Sequence, residues 1–590
     1  MKQFFKFMLA SMAGSILIVL IFVLLFLAML GSLASIGQKS VFVVQDNSVL
    51  HLKFNTEIVD RSRENPFESF DFLSGRPQST IGLIDIIRNL RKAKADDNIK
   101  GVFLDLTHVS TGLSSISEIR ENLIELKAEG KFIIAYGEMF SQNAYYLASV
   151  ADEIYLNPVG LLDFRGLNAQ MMFFKNMLEK IGVEPQIIRH GEYKSAGEPF
   201  YLEKMSPENR EQMQSIISSM WNNVINDISK SRNLSVNHLN MVADNYLSRT
   251  PSGALDNSMI DGIKHRDEIY ERIRELLEIN QDDKINFASF SQYKRALPPK
   301  EMTKSGVNDQ IAVIFGQGMI ISGKGSENNM GSDRIAAAIR KARLDDNVKA
   351  IVFRINSGGG SALASDVMLR EVILAAKEKP VVASFGDVAA SGGYYVACAA
   401  DVIIANRSTI TGSIGVFGMI PNMKELFESK IGLSFDNVKT NELADFASIN
   451  RPLTNLEREI IKESIGEVYD TFISHVAEGR NLPKETVDNI GRGRVWTGVE
   501  AMQVGLIDEF GGLEYAIDKA AELAEIEDFR LIEYPEQKSF FEMLMDDMGG
   551  VTHNIIQREL GDSYIYYKLI QDIKNQSGIL ARMPFEIIIE

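Results

Sequence analysis

The chain has very few of the residues that build covalently linked or metal-held cores. Its 590 residues include one cysteine, Cys398, and seven histidines. A single cysteine cannot form a disulfide within the chain, and its place in the apolar run 394–400 favours a small core residue over a nucleophile. The histidines are scattered, so the sequence offers no cluster with metal-ligand spacing. We expect neither a metal nor another cofactor.

Positive charge is scarce as well. The chain has 62 lysines and arginines against 79 aspartates and glutamates, for a formal net charge of -17. Nucleic-acid binding needs a clustered basic surface, so no nucleic-acid partner is expected. An acidic, soluble surface accounts for the charge without any function attached to it.

Charge is missing altogether from a long N-terminal stretch. No charged residue occurs between Lys6 and Lys39, and residues 8–36 are almost wholly apolar. About 20 such residues span a bilayer core of about 30 Å, whereas the apolar core of a cleaved signal peptide has about 7–15. We therefore predict that residues 1–38 form a short cytoplasmic N-terminus and an uncleaved transmembrane helix. Because Lys2 and Lys6 precede this span, the remainder is expected on the far side of the membrane.

The rest of the chain is an internal duplication. Residues 91–106 match residues 340–355, and the same offset aligns Asp152 with Asp401. Repeats of this kind indicate two copies of one domain. The predicted divisions are an N-terminal repeat at 39–287, a linker at 288–308 that contains Pro298 and Pro299, a C-terminal repeat at 309–530 and a tail at 531–590.

Each copy alternates helical patterns with short β-rich runs. Such alternation predicts βα units and a largely parallel sheet, whose functional loops lie at the carboxyl ends of the strands. The predicted strands are 102–106, 132–136 and 154–156 in the first copy and 350–355, 381–384 and 402–404 in the second, after opening runs at 49–59 and 311–321.

Two loops of the second copy carry candidate chemistry. The first, Asn356–Ser361, holds three consecutive glycines before a helical pattern. Its amides suit a developing oxyanion, although a bare triple glycine also suits a flexible turn. In the second loop, Ser391 stands before Gly392 and a small-residue helix. A nucleophile and half of an oxyanion hole fit this turn, and so does a simple helix-capping serine.

The duplication separates these interpretations. In the first copy, Gln142 aligns with Ser391, and residues 107–112 align with the glycine loop but lack the triple glycine. A purely structural cap would serve both copies, so the asymmetry favours a functional Ser391.

A serine nucleophile needs a base, and no histidine lies near these loops. Lys194 of the first copy is a candidate, because the second copy carries Leu443 or Ala444 at the matching place. One lysine among many is ordinarily a solvated side chain. With a usual pKa near 10.4, only about 0.1% of such a lysine is neutral at pH 7.4. Lys194 must therefore be desolvated between the two copies if it is to act as a base.

Four motifs together resemble the long form of the signal peptide peptidase A (protease IV) family. They are NSGGGS at 356–361, GDVAASGGYY at 386–395, TGSIGV at 411–416 and GEYKSA at 191–196. The resemblance runs from the N-terminal span to about residue 525. The family has proline where this chain has Gly358.

The resemblance implies an α/β fold of tandem Clp-protease/crotonase-like domains behind one transmembrane helix. It further implies Ser391 as nucleophile, Lys194 as general base, oxyanion donors at Gly359 and Gly392, and Ser413 as a serine that orients the lysine amine. The implied enzyme is a serine endopeptidase.

The implied substrates are cleaved signal peptides or other extended apolar peptides, and the implied assembly is a homo-tetramer. The expected location is the cytoplasmic (inner) membrane, with the catalytic part on the periplasmic side. The alternative is a crotonase-type enzyme that acts on acyl-thioesters and uses the same loops to stabilise an enolate.

Overall fold

The computed structural model describes residues 41–62, 80–299, 306–537 and 578–583, with scattered helical residues between positions 4 and 22 and a strand pair, Phe70–Asp71 with Arg76–Pro77. Most of the predicted transmembrane segment and most of the predicted tail, 531–590, lie outside the described residues. Within the described part of the chain, no helix is both long and apolar enough to cross a membrane.

The first repeat is built on a six-stranded sheet in which every neighbouring pair is parallel. Its interior strands read as continuous apolar runs because both faces are covered. Val102 and Leu104 pack into the main core on one face, while Phe103 packs with Ile269 and Ile273 of a helix on the other. In spatial order the strands are Gly262–Ile263, Glu153–Leu156, Phe132–Gly137, Ile99–Asp105, Ser48–Leu52 and Asn286–Ser289.

Five of the described helices of this repeat begin after a serine or threonine whose side chain caps the first turn. The longest of them starts after Ser206, whose hydroxyl accepts a hydrogen bond from the Asn209 amide. The helices are Leu83–Ala95, Leu113–Ala128, Gln142–Ala148, Lys175–Ile181, Glu198–Tyr201, Pro207–Arg232, Val236–Asp244, Pro251–Asp256, Arg266–Leu276 and Phe290–Lys294, with 3-10 turns at Ser195–Gly197 and Leu247–Arg249.

The second repeat contains an eight-stranded sheet, parallel except for its last pair. Five of its strands follow the order Ile410–Gly412, Val381–Ala390, Val348–Ser357, Gln310–Gln317, Arg530–Tyr534. Val495–Thr497 pairs antiparallel with the first of these, and Val402–Ala405 and Glu509–Phe510 extend from Val381–Ala390. The helices are Ser332–Leu344, Ala362–Ala376, Gly392–Ala397, Asn455–Gly479, Lys484–Ile490, Gly498–Gln503 and Leu513–Leu523, with a π-helical turn at Leu426–Ile431.

The predicted duplication and parallel strand pairing are confirmed, down to individual hydrogen bonds. Asp152 accepts a hydrogen bond from the Ile133 amide, and its counterpart Asp401 accepts one from the Val381 amide. All six predicted interior strands are present, and each is longer in the structure than its apolar run. The predicted opening runs each divide into two strands, Ser48–Leu52 with Ile58–Val59 and Gln310–Gln317 with Met319–Ile321.

The residues assigned to the linker, 288–308, begin inside the first sheet. The strand Asn286–Ser289 pairs with Ser48–Leu52, Ala288 is buried, and the helix Phe290–Lys294 follows directly. The matching strand of the second repeat, Arg530–Tyr534, pairs in the same way with Gln310–Gln317. Residues 300–305 lie outside the described residues.

A third sheet joins the two repeats. The strand Glu184–Arg189 of the first repeat pairs antiparallel with Phe417–Asn422 of the second over six residue pairs. Because of this pairing, the residues that follow Arg189 lie against the second repeat. The sheet has the order Asn329–Gly331, Met319–Ile321, Gly359–Ser361, Gly578–Arg582, Phe417–Asn422 and Glu184–Arg189.

Candidate active site

Ser391 occupies a strained turn between a strand and a helix. The strand Val381–Ala390 ends immediately before it, and the helix Gly392–Ala397 begins immediately after it. Its backbone dihedrals are φ 56° and ψ -116°, which a residue with a side chain rarely adopts, and its amide donates to the Gly412 carbonyl over 2.8 Å. Such conformations persist where the surrounding structure enforces them, typically at functional sites. The Ser391 hydroxyl forms no cap on the helix, so the capping interpretation does not describe its role.

Lys194 enters the second repeat from the loop after Glu184–Arg189. Its side chain is 0% exposed and passes two glycines that leave room for it. A β-carbon at Gly415 would lie 3.2 Å from the lysine Cδ, and one at Gly493 would lie 2.5 Å from the lysine amide nitrogen. Glycine at these two positions therefore lets the lysine backbone and side chain pack deeply between the repeats.

Three oxygen atoms surround the lysine amine. Nζ lies 2.7 Å from Ser391 Oγ, 3.0 Å from the Ser413 carbonyl oxygen and 3.1 Å from Ser413 Oγ. Lys194 Nζ and Ser391 Oγ, which come from different repeats, are therefore within hydrogen-bond distance. All three side chains are buried.

Burial lowers the pKa of Lys194 well below its usual value, with no compensating ion pair at the amine among the described residues. A neutral amine has two N–H donors and one lone pair. The Ser413 carbonyl can only accept, so it takes one donor, and Ser413 Oγ can take the other. The lone pair is then left for the Ser391 O–H. The geometry thus fits a neutral lysine that accepts the proton of Ser391.

The loop that carries Lys194 is held by Gln212, a residue that the sequence reasoning missed. The Gln212 side chain is fully buried and donates to Ser195 Oγ over 3.0 Å and to the Tyr193 carbonyl over 3.3 Å. Its oxygen accepts from the Val495 amide of the second repeat over 3.2 Å. Gln212 therefore ties both neighbours of the lysine to the opposite repeat.

The glycine loop lies beside the Ser391 turn. Gly359 has φ 94°, and a β-carbon there would lie 2.7 Å from the Gly392 amide nitrogen. The Gly392 amide opens a helix and so has no intrahelical acceptor. The Gly359 amide donates to Ser357 Oγ over 3.1 Å. Only a residue without a side chain fits at Gly359, because its φ is positive and a methyl group would crowd the Gly392 amide.

A buried ion network fixes the base of this loop. Arg354, 1% exposed, donates to Asp60 and to Glu118 of the first repeat over 2.7 Å each. Asp60 also accepts from the Asn356 side chain over 2.8 Å, and the Asn356 oxygen accepts from the Val388 amide over 3.2 Å. The first repeat thereby holds the strands that lead into both the glycine loop and the Ser391 turn.

The first repeat has closed the equivalent position. Gln142 aligns with Ser391, and its side-chain oxygen accepts from the amides of Arg165 and Gly166 over 3.1 and 3.0 Å. The helix there is capped conventionally by Ser141, which accepts from the Ala144 amide. The first repeat therefore has the same strand and helix, but at this position it has a glutamine whose side chain bonds to the backbone.

Of the five candidate residues, the structure places Lys194 in direct contact with both Ser391 and Ser413, and Gly359 and Gly392 lie beside Ser391. Cys398 is buried in the core, as the sequence predicted, and burial raises the pKa of its thiol to about 12, so it is not a reactive thiolate.

Comparison with known proteins identifies the family. The model for peptidase family S49 matches residues 125–280 and 373–527. Protease 4 of Haemophilus influenzae is 37% identical over 515 residues, which cover 85% of this chain and 83% of the relative. Protease 4 of Salmonella typhi is 37% identical over 547 residues, with 90% and 87% covered. The chloroplastic serine protease SPPA of Arabidopsis thaliana is 33% identical over 522 residues, with 87% and 76% covered. The chain belongs to peptidase family S49 and is a serine peptidase.

Proposed function

We propose that the chain is a membrane-anchored serine endopeptidase that degrades cleaved signal peptides and other extended apolar peptides through a Ser391–Lys194 dyad. The observation that carries this proposal is the 2.7 Å distance between Lys194 Nζ and Ser391 Oγ. Both side chains are fully buried, so neither is in contact with bulk water.

The proposed reaction is acyl transfer. Lys194 takes the Ser391 proton as Oγ attacks the peptide carbonyl carbon, and the resulting ammonium returns the proton to the leaving amine. Water then hydrolyses the acyl-enzyme, with Lys194 again as the base. The ammonium forms in a buried site, where the Ser413 carbonyl and hydroxyl oxygens are positioned to accept its hydrogen bonds.

The oxyanion would be held by the amides of Gly359 and Gly392. The Gly359 amide now donates to Ser357 Oγ, so this bond must yield to the oxyanion during the reaction. Ser357 keeps a second interaction, a 2.6 Å hydrogen bond to the Gly318 carbonyl, which holds its side chain in the loop when the amide turns to substrate. Removing one such donor from an oxyanion hole typically lowers kcat by about 10²–10³-fold.

Two strand edges near the Ser391 turn, here called the peptide cleft, support an extended apolar substrate. Gly359–Ser361 and Phe417–Asn422 offer main-chain hydrogen bonds to a strand between them. Ala196, Phe417 and Met419 form an apolar wall beside that strand position. Backbone pairing recognises an extended chain, and the wall favours aliphatic side chains.

The membrane part of the proposal rests on the uncharged run at residues 8–36, long enough to span a bilayer. We expect the protein in the cytoplasmic membrane, with its catalytic part on the periplasmic side. It should resist alkaline extraction from membranes, and the catalytic part should be protease-sensitive from outside in spheroplasts. We further expect a homo-tetramer, which light scattering of the detergent-solubilised protein would measure directly.

A fluorophosphonate probe tests the dyad. Wild-type protein should be labelled on Ser391. Labelling should disappear in Ser391→Ala and fall steeply in Lys194→Ala, together with hydrolysis of a quenched apolar peptide. Full labelling in Lys194→Ala, or peptide hydrolysis that survives Ser391→Ala, would exclude the proposed mechanism.

A further inference from the structure

A segment from the far end of the chain already lies in the proposed peptide cleft. Residues 578–582, here called the tail strand, run antiparallel to both Gly359–Ser361 and Phe417–Asn422. The Met583 amide extends the pairing with a 2.6 Å hydrogen bond to the Gly358 carbonyl. The tail strand is therefore held by backbone hydrogen bonds on both edges, as a bound extended peptide would be.

The register puts one carbonyl of the tail strand beside the two candidate oxyanion donors. Gly360 pairs with Ala581. A β-carbon at Gly359 would lie 2.1 Å from the Ala581 carbonyl oxygen, and one at Gly392 would lie 3.0 Å from the same atom. The Ala581 carbonyl oxygen thus rests against the α-carbons of both glycines, next to the Ser391 turn.

The side chains of the tail strand are also accommodated. Leu580 is buried against Ala196, Phe417 and Met419, and Ala581 is 0% exposed. Met583 packs into the core cluster that contains Ala390 and Val495. Burial at three of the four positions 580–583, with Leu580 and Met583 in different apolar clusters, fixes the register of the segment, so it is not merely a strand lying along an open edge.

From these contacts we infer that the C-terminal segment 578–583 is an intramolecular ligand of the peptide cleft, which competes with peptide substrates and presents the Ala581–Arg582 bond to Ser391. The inference rests on the proposed function for the identity of the cleft. It adds the occupant, its register and a means of regulation, because another peptide can bind only when the tail strand has left.

A disulfide designed across the register tests the position of the segment without relying on catalysis. A β-carbon at Gly358 would lie 3.5 Å from the Met583 Cβ, within the range of about 3.5–4.5 Å found in disulfides. Full-length Ser391→Ala protein carrying Gly358→Cys and Met583→Cys should form an intrachain disulfide under mild oxidation. The native Cys398 is buried and should not interfere. Each single substitution serves as a control.

Competition is measured on the same protein with a fluorescein-labelled peptide of the sequence GILARM, residues 578–583. The reduced double-cysteine variant should bind this peptide at least tenfold more tightly than the oxidised one, and reduction should restore binding. In the Ser391→Ala background, Leu580→Asp should also tighten binding several-fold, because it places a charge in the apolar wall and releases the tail strand. The exposed Leu523→Asp is the matched control and should not change binding.

Absence of the disulfide, a disulfide between two chains, or equal peptide affinity in the oxidised and reduced forms would overturn the inference. The melting temperature of Leu580→Asp shows whether the rest of the fold is intact. Fluorophosphonate labelling of the wild-type protein reports on the Ser391–Lys194 dyad separately, so a failure of the proposed function is distinguishable from a failure of this inference.

Discussion

The burial of Lys194 makes a quantitative prediction about the pH dependence of Ser391 reactivity. If the lysine is the base, the second-order rate constant for fluorophosphonate modification follows the fraction of neutral amine. A lysine with the ordinary pKa of 10.5 would make this rate rise about ninefold between pH 8.5 and 9.5. Because complete burial lowers the pKa of Lys194, we expect a plateau, with a rise of less than about twofold over that interval. The rate should fall tenfold per pH unit on the acid side of the titration.

Lys194→Met supplies the background for this experiment. The variant should lose about 10²–10⁴-fold in rate, the usual contribution of a positioned general base, and should show no inflection below pH 9. Lys204→Met is the matched control, since that lysine is exposed and ten residues further along the chain. A wild-type rate that keeps rising tenfold per unit to pH 10, or a Lys194→Met profile with the wild-type inflection, would refute the assignment of a neutral lysine base.

Three further outcomes follow from the geometry. At pH values between the lowered pKa of Lys194 in the folded protein and its ordinary pKa in the unfolded chain, folding releases a proton. The free energy of unfolding therefore rises with pH by about 1.4 kcal/mol per unit in this range. Because Lys194→Met removes this cost, it should raise the melting temperature more at pH 6 than at pH 9.5. Gly359→Ala should lower kcat at least about 10²-fold in a peptide assay, whereas Gly358→Ala, whose β-carbon makes an ordinary 3.5 Å contact, should stay within severalfold of wild type. Asp60→Ala should destabilise the fold by about 3 kcal/mol or more in chemical denaturation, because Arg354 loses a buried carboxylate partner.

The interior strands were predictable because each copy repeats an apolar run at a fixed distance from the same polar positions. Asp152 and Asp401 are examples, since each accepts a hydrogen bond from the first residues of a neighbouring strand. Internal repetition also exposed the candidate site, because Gln142 in the first copy fills the position that Ser391 occupies in the second. The two copies within one chain therefore provided a comparison between the candidate catalytic position and a filled one.

The remaining parts of the site depend on pairing between segments that are distant in sequence. Nothing in the local pattern of Glu184–Arg189 states that it pairs with Phe417–Asn422, yet this pairing delivers Lys194 to Ser391. The tail strand was missed for the same reason. Its residues form a short apolar run near the end of the chain. Local propensity does not indicate which strands such a run pairs with, or in which register. Gln212 was missed because its role combines contacts to Tyr193 and Ser195 with one contact across the repeat boundary, to Val495.

The division of the proposed dyad between the repeats makes its chemistry depend on the fold. Lys194 loses its water only where Gly415 and Gly493 of the second repeat close around it, so neither repeat alone can lower its pKa. The Arg354 network has the same effect. The buried charges of Arg354, Asp60 and Glu118 are paired with one another only when the two repeats meet in one orientation. A chain whose repeats are not fully joined would carry a protonated lysine and a displaced glycine loop. On the proposed mechanism, the serine would then remain unreactive until the two repeats have joined.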